Sequence, residues 1–176
     1  MRQLLNGITG LLFLMTFSAT ALAGWDPNKA DEVQEAIAAF KATDPELDIF
    51  FDKAYGYAVF PSVGKAGMGI GGAYGKGVVF EQGKEIGKTT LKHVSMGFEF
   101  GGESYREIIF FEDEKTLNDF KQGNYELGAQ ASAVAAKKGA SKNADFDKGV
   151  AVFTQTKGGL MFDVSVGGQK FTYEPR

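Results

Sequence analysis

This chain has few residues with which to do chemistry. It holds one histidine, His93, and no cysteine. Thiolate metal sites, thiol nucleophiles and redox pairs are therefore excluded. A serine hydrolase would need Ser95 or Ser104 beside His93. However, Gly102-Glu103-Ser104-Tyr105-Arg106 lacks the closing glycine of a nucleophile elbow. A histidine at a strand end or on the surface is the plainer reading. Glu99, Glu103 and Glu107 fall close together, and two carboxyls held ~5–10 Å apart could hydrolyse a glycoside. A solvated face, or pairing with Lys92 or Arg106, accounts for them more simply. The expectation is no catalytic residue, no metal ligand and no cofactor.

A second chemical signal is the stretch Tyr55–Val78. Six of the eleven residues from Gly67 to Gly77 are glycine. Gly67-Met68-Gly69-Ile70-Gly71-Gly72 matches the letters of the dinucleotide fingerprint, which works only where a helix follows to hold the pyrophosphate. Here Gly75, Gly77 and then Val78-Val79-Phe80 follow, so no helix begins. Gly75-Lys76-Gly77 lacks the hydroxyl residue and spacing of a phosphate loop. The aromatic, β-prone lead from Tyr55 to Phe60 and the strand after Gly77 recast the stretch as sheet, with glycines permitting sharp coiling.

The elements that must position these residues follow from the rest of the chain. Residues 1–23 read as a secretory signal peptide: Arg2, an apolar run from Leu4 to Phe17, and Ala21-Leu22-Ala23 before Gly24. Residues 24–176 then form one domain, exported to a bacterial periplasm, where a protein without disulfides is ordinary. The formal net charge is −3. With no basic cluster along the chain, that balance argues against nucleic acid as a partner and weakens long-range attraction to anionic lipid. Pro27 opens a helix over 29–41 with Val33, Ile37 and Phe40 on one stripe. Asp44-Pro45 repeats the start signal for a short helix carrying Phe50 and Phe51, which read as core. Val78–Glu81 turns at Gln82-Gly83 into a returning strand over 85–94. Ile108-Ile109-Phe110-Phe111 reads as a strand at a sheet centre. Asp113 caps a third helix that Gly123 stops. Residues 125–138 fit helix or strand. Val150–Thr156, Leu160–Val166 and Lys170–Tyr173 read as a three-stranded meander joined by glycine pairs. The fold class is α+β: an antiparallel, strongly curled β-sheet or partly closed β-barrel, with two N-terminal helices and one inserted helix.

Several spaced motifs in this order resemble the SYLF domain family. They are Ala54, Gly56, Ala58-Val59-Phe60-Pro61, Lys65, Gly67, Gly71-Gly72, Gly75 and Gly77-Val78; then Ser95, Gly97, Gly101, Ser104 and Glu107 to Phe110; then Leu127-Gly128-Ala129, Ala131-Ser132 and Lys157-Gly158-Gly159-Leu160. The likeness runs from about Val33 to Tyr173. It implies a non-enzymatic domain that binds membrane lipids; some eukaryotic members also bind actin. On this reading Phe60, Met68, Tyr74 and Phe98 offer apolar contact to lipid, and Lys65 and Lys76 reach a phosphate. An envelope structural or protein-interaction module with no lipid ligand is the alternative. The lipid, the protein partner and the oligomeric state are not fixed by the sequence.

Overall fold

The computed structural model describes residues 27–97, 102–157 and 164–176. The expected signal segment, Glu99 and Phe98 lie outside the described residues. Helix α1 (Pro27–Thr43) begins on its proline and buries Val33, Ala36 and Phe40. A 3-10 turn (Pro45–Leu47) leads into α2 (Asp48–Lys53). Asp44 stands at the N-cap position without capping through its side chain. Its buried carboxylate instead accepts hydrogen bonds from Gly139 N at 3.0 Å and Ser141 N at 2.8 Å, tying the helical layer to a distant loop. Burial pushes this carboxyl up, but the backbone N–H groups of Ser141 and Gly139 outweigh it and leave the acid below its ordinary value.

The sheet has the order β4-β8-β2-β1-β3-β6-β5-β7. These strands are β1 (Gly56–Glu81), β2 (Lys84–Gly97), β3 (Gly102–Phe111), β4 (Tyr125–Glu126), β5 (Ser132–Ala135), β6 (Val150–Thr156), β7 (Val164–Ser165) and β8 (Lys170–Pro175). Residues 56–66 of β1 pair with β3, and residues 69–81 pair with β2. The two halves of β1 also lie against each other. A Cβ on Gly75 would stand 2.9 Å from Val63 Cγ2, one on Gly77 would stand 2.6 Å from Val59 O, and one on Gly56 would stand 2.6 Å from Phe80 O. Gln82 N donates to Tyr55 O at the base of this fold-back. Glycine is required at 75 and 77 because the returning half packs its bare backbone onto Phe60 and Val63. The glycine run is thus sheet, as expected, and its glycines at these positions make room for the chain itself.

Each face of the sheet carries its own core. The inner face gathers Ala58, Phe60, Val63, Leu91, Ile109, Phe111 and Phe171. The outer face gathers Val59, Phe80, Ile108, Phe110 and Phe153 under α1 and α2. β3 lies between β1 and β6, so Ile108 to Phe111 are buried on both faces, as that apolar run predicts. Phe50 packs its ring 4.9 Å from Phe153 and 5.6 Å from Phe110, and Phe51 lies 4.9 Å from Phe110. Both belong to the core. Helix α3 (Glu114–Lys121) is capped by Asp113, whose carboxylate accepts from Thr116 N at 2.8 Å. It plugs one end of the inner face with Leu117 and Phe120.

Two expectations need correction. Among the described residues the C-terminal strands form no meander: β6 pairs with β3 and β5, β7 with β5, and β8 with β2 and β4, while residues 160–163 of the expected middle strand lie outside the described residues. Period-two patterning shows that a segment is half-buried sheet, but every such segment can pair with any other, so the partners come from the closing of the whole sheet. The sheet is also not wholly antiparallel, since β5 runs parallel to β6. Residues 125–138 resolve as two short strands rather than a helix. Leu127 and Ala133 there turn into the inner core.

Candidate functional site

Successive side chains of a strand point to opposite faces. From β1 to β8 that alternation sorts the charges. In the second half of β1, Ala73, Gly75 and Gly77 are buried while Tyr74 and Lys76 are exposed. In β2, Thr89 and Leu91 are buried while Lys88, Lys92 and Val94 are exposed. In β8, Phe171 is buried while Lys170 and Thr172 are exposed. The register then places these outward residues side by side. Tyr74 lies opposite Lys92, Lys76 opposite Thr90 and Val94 opposite Gly72. Lys92 lies opposite Lys170, and Lys88 opposite Glu174.

The result is a face bearing Lys76, Lys88, Lys92 and Lys170 around Tyr74 and Val94. Lys170 pairs with Glu126 at 3.5 Å. The other three lysines have no ion-pair partner among the described residues. Tyr74 is 49% exposed and Val94 77% exposed, two of the three large apolar side chains left so open among the described residues. Along the edge of α1 the face deepens into a cleft of about 440 Å³, lined among others by Val33, Pro61, Ser62, Tyr74, Lys76 and Lys88. Glu32 of α1 and Glu174 of β8 also border it. The cleft offers cations, hydroxyl groups and a small apolar wall, a set that can hold a phosphate-bearing head group but has no nucleophile–base pair.

Tyr74 and Lys76, singled out from the sequence, thus lie on one exposed face. Phe60 does not. It is fully buried on the inner face, its ring centroid 5.8 Å from that of Phe171. A surface role for Phe60 is therefore corrected, because the bulge in β1 between Phe60 and Val63 keeps both on the inner side. Lys65 is partly exposed in the first half of β1, opposite Glu103, and is engaged rather than free. Met68 falls in the part of β1 where the strand folds back, and its side chain is outside the described part, as is Phe98. The residues missed were Lys88, Lys92, Val94 and Lys170. The spacing Lys88-x-Thr90-x-Lys92-x-Val94 on a strand was the available signal: it puts two cations and an apolar side chain on one face. The local basic cluster that the charge balance argued against is assembled by strand pairing.

The inner face holds the most perturbed acid. Glu107 is wholly buried and accepts from Gln169 Nε2 at 3.1 Å through Oε2. Burial drives its carboxyl up to about 8, against a smaller opposing effect of the Gln169 hydrogen bond. Glu107 Oε1, Gln169 Oε1 and Thr154 Oγ1 have no hydrogen-bond partner. Thr154 is directly opposite Glu107 across the β3–β6 pair. Ser104 Oγ shares its hydrogen bond with Ser62 Oγ at 2.9 Å rather than with His93. Among the described residues no group of three or more His, Asp or Glu side chains could hold a metal ion.

The architecture is thus a curled α+β sheet with two helices on its outer face, one end plugged by a third helix and a lysine–aromatic face left open. Residues 92–175 match the family model described as "Ysc84: Las17-binding protein actin regulator". Over those residues, somewhat under half of the chain, it is similar to this family, the SYLF family. It is also similar to Beta cell expansion factor A of Aeromonas veronii, with 31% identity over 157 residues, covering 83% of this chain and 59% of the relative. The chain thus spans about three fifths of the length of that relative. The family match begins at Lys92, inside β2, so it rests on β3, α3 and the C-terminal strands and not on the glycine stretch.

Proposed function

We propose that this chain is a non-enzymatic lipid-binding protein of the bacterial periplasm, residues 1–23 being removed on export and residues 24–176 forming one domain. It docks on membrane phospholipid through the outward face of β1, β2 and β8. The observation that carries this reading is the grouping of unpaired Lys76, Lys88 and Lys92 around exposed Tyr74 and Val94. Lysines supply attraction to head-group phosphates, and a tyrosine with a neighbouring valine suits the interface where one end of a side chain is apolar and the other wet.

Flotation of the protein with vesicles of neutral and anionic phospholipid tests it. Each lysine near an anionic surface contributes ~1 kcal/mol, so replacing Lys76, Lys88 and Lys92 together by glutamine lowers binding by about a hundredfold. The far-ultraviolet circular dichroism of the variant should match that of the parent. Absence of association with every vesicle, together with no lipid in native mass spectra of the purified protein, would sink the reading.

A second reading has its own support. The matched family is described by its binding to a protein, Las17. The same face would then meet an acidic protein partner of the envelope. Retained vesicle binding distinguishes the first reading, and pull-down from envelope extracts that survives detergent distinguishes the second.

A further inference from the structure

The cleft beside α1 carries charges of both signs, and the strand registers lay them out in order. On the outward face Lys76 of β1 lies opposite Thr90 of β2, and Thr90 opposite Thr172 of β8. Two positions along the strands, Val78 lies opposite Lys88, and Lys88 opposite Glu174. Residues directly opposite have their Cβ atoms about 5 Å apart, and outward neighbours on one strand stand about 7 Å apart. Thr90 therefore sits on the floor, with Lys76 across from it and Lys88 next along its own strand. Helix α1 packs on β1 and supplies one wall through Glu32 and Val33. Glu174 stands on the other wall, at β8.

Five charged side chains line the cleft: Glu32, Lys76, Glu85, Lys88 and Glu174. Glu85 is engaged by Arg176 at 3.6 Å. The other four have no ion-pair partner among the described residues, even though Lys88 and Glu174 are directly opposite. Two unpaired cations and two unpaired carboxylates thus share one space of about 440 Å³. We infer that this cleft is a head-group site for a zwitterionic phospholipid that bears a primary amine, of the phosphatidylethanolamine class. Lys76, Thr90 and Lys88 hold its phosphate, and Glu32 and Glu174 receive its ammonium. This selectivity presupposes that the face docks on membrane phospholipid.

Charge matching favours such a head group over others. A phosphate with no ammonium would satisfy the lysines but bring its charge beside two carboxylates, and like charges held together disfavour binding. A head group whose ammonium lies two carbons from its phosphate ester answers both signs within about one strand spacing. The ammonium must also be primary. It then has three N–H donors for carboxylate oxygens, and charge-assisted bonds of this kind are the strong ones. The trimethylammonium of choline has no N–H and is held by cages of aromatic rings. Among the described residues Tyr74 is the one aromatic side chain lining the cleft. The hydroxyls of Thr90 and Thr172 can donate to phosphate oxygens. The way out of the cleft is apolar: Tyr74 lines it, and Val94 lies beyond Lys92 on the same face, both exposed. The glycerol and acyl chains leave past these two side chains toward the bilayer. Lys92 and Lys170 are not part of the cleft lining, so they add attraction to the surface without selecting a head group.

Flotation with vesicles of two compositions tests the proposal. One set holds phosphatidylethanolamine and phosphatidylglycerol. In the other, phosphatidylcholine replaces the ethanolamine lipid at the same phosphatidylglycerol fraction, so the surface charge is equal. The protein should bind the ethanolamine vesicles about tenfold more tightly, as expected where hydrogen bonds between charged groups are gained. Glu32→Gln combined with Glu174→Gln should abolish that preference. The double variant should also bind the choline vesicles several-fold more tightly than the parent, because two negative charges leave a lysine-bearing face. Both side chains are exposed, so the circular dichroism of the variant should match that of the parent. Glu174→Gln alone is the second variant, and should lower the preference part of the way. The proposal is overturned if the parent binds both vesicles equally. It is equally overturned if the preference persists in the double variant, which would assign it to the packing of the bilayer. Either result leaves membrane docking standing, whereas absence of association with both vesicles overturns the docking and the selectivity together.

Discussion

Replacing Glu107 by glutamine should change how the stability of this protein depends on pH. In the unfolded chain the carboxyl titrates near its ordinary 4.5, whereas in the fold it titrates at about 8. An acid raised by folding leaves the native state at full strength below the lower value and weakens it as pH climbs toward the upper one, because the unfolded chain sheds a proton that the folded chain retains. At ~1.4 kcal/mol per pH unit the whole interval amounts to about 5 kcal/mol, of which about 3 kcal/mol is already lost at pH 7. That is a large share of the ~5–15 kcal/mol by which domains of this kind are stable. The variant has no proton to lose. Urea unfolding of both proteins from pH 4 to pH 9 is the assay. The two curves should lie closest at pH 4. The variant should then gain on the parent by about 3 kcal/mol at pH 7 and by up to ~5 kcal/mol above pH 8. Unfolding free energies that run parallel across this range would refute the reasoning, since they would mean that Glu107 is already solvated or paired in the folded protein.

Three further outcomes follow from particular contacts. Asp44→Ala removes the acceptor of two loop N–H groups, Gly139 N and Ser141 N; thermal or urea unfolding should show a loss of ~2–4 kcal/mol, because buried donors are left unmatched. The same carboxyl lies below its ordinary value in the fold, so its contribution is present above that ordinary value and fades as acid protonates it; acid titration of Asp44→Ala should lack that part of the parent's loss. Gly77→Ala places a Cβ 2.6 Å from Val59 O and 2.7 Å from Phe60 Cδ1; circular dichroism melting should show a loss of at least ~1–3 kcal/mol, whereas Gly83→Ala, in open space but at φ +77°, should cost about 1 kcal/mol.

Much of this fold could be read from the chain, and the reasons are local. Asp113 with Gly123 marks a helix because capping and termination depend on a few neighbouring residues. Ile108 to Phe111 marks a central strand because four adjacent apolar residues need cover on both faces. The missing helix after Gly72 removes the nucleotide reading for the same local reason. What could not be read is which strand lies beside which. Val150–Thr156 and Lys170–Pro175 look alike in pattern, yet one packs against β3 and the other against β2.

The candidate site divides along the same line. By itself the sequence determined that the chain has no thiol chemistry, that its single histidine has no nucleophile elbow, and that its motifs follow the SYLF order. It also pointed to Tyr74 and Lys76, which alternate with glycine or alanine on a strand and are exposed in the fold. Tertiary structure decided that Lys88, Lys92 and Lys170 join them, since registers between strands bring together charges that the overall balance of −3 conceals. It placed Phe60 in the interior, because β1 folds back over it. It also turned Glu107 from one of three neighbouring glutamates into an isolated buried acid. The charge of a carboxyl depends on what surrounds it, and the partner of Glu107, Gln169, lies 62 positions away along the chain.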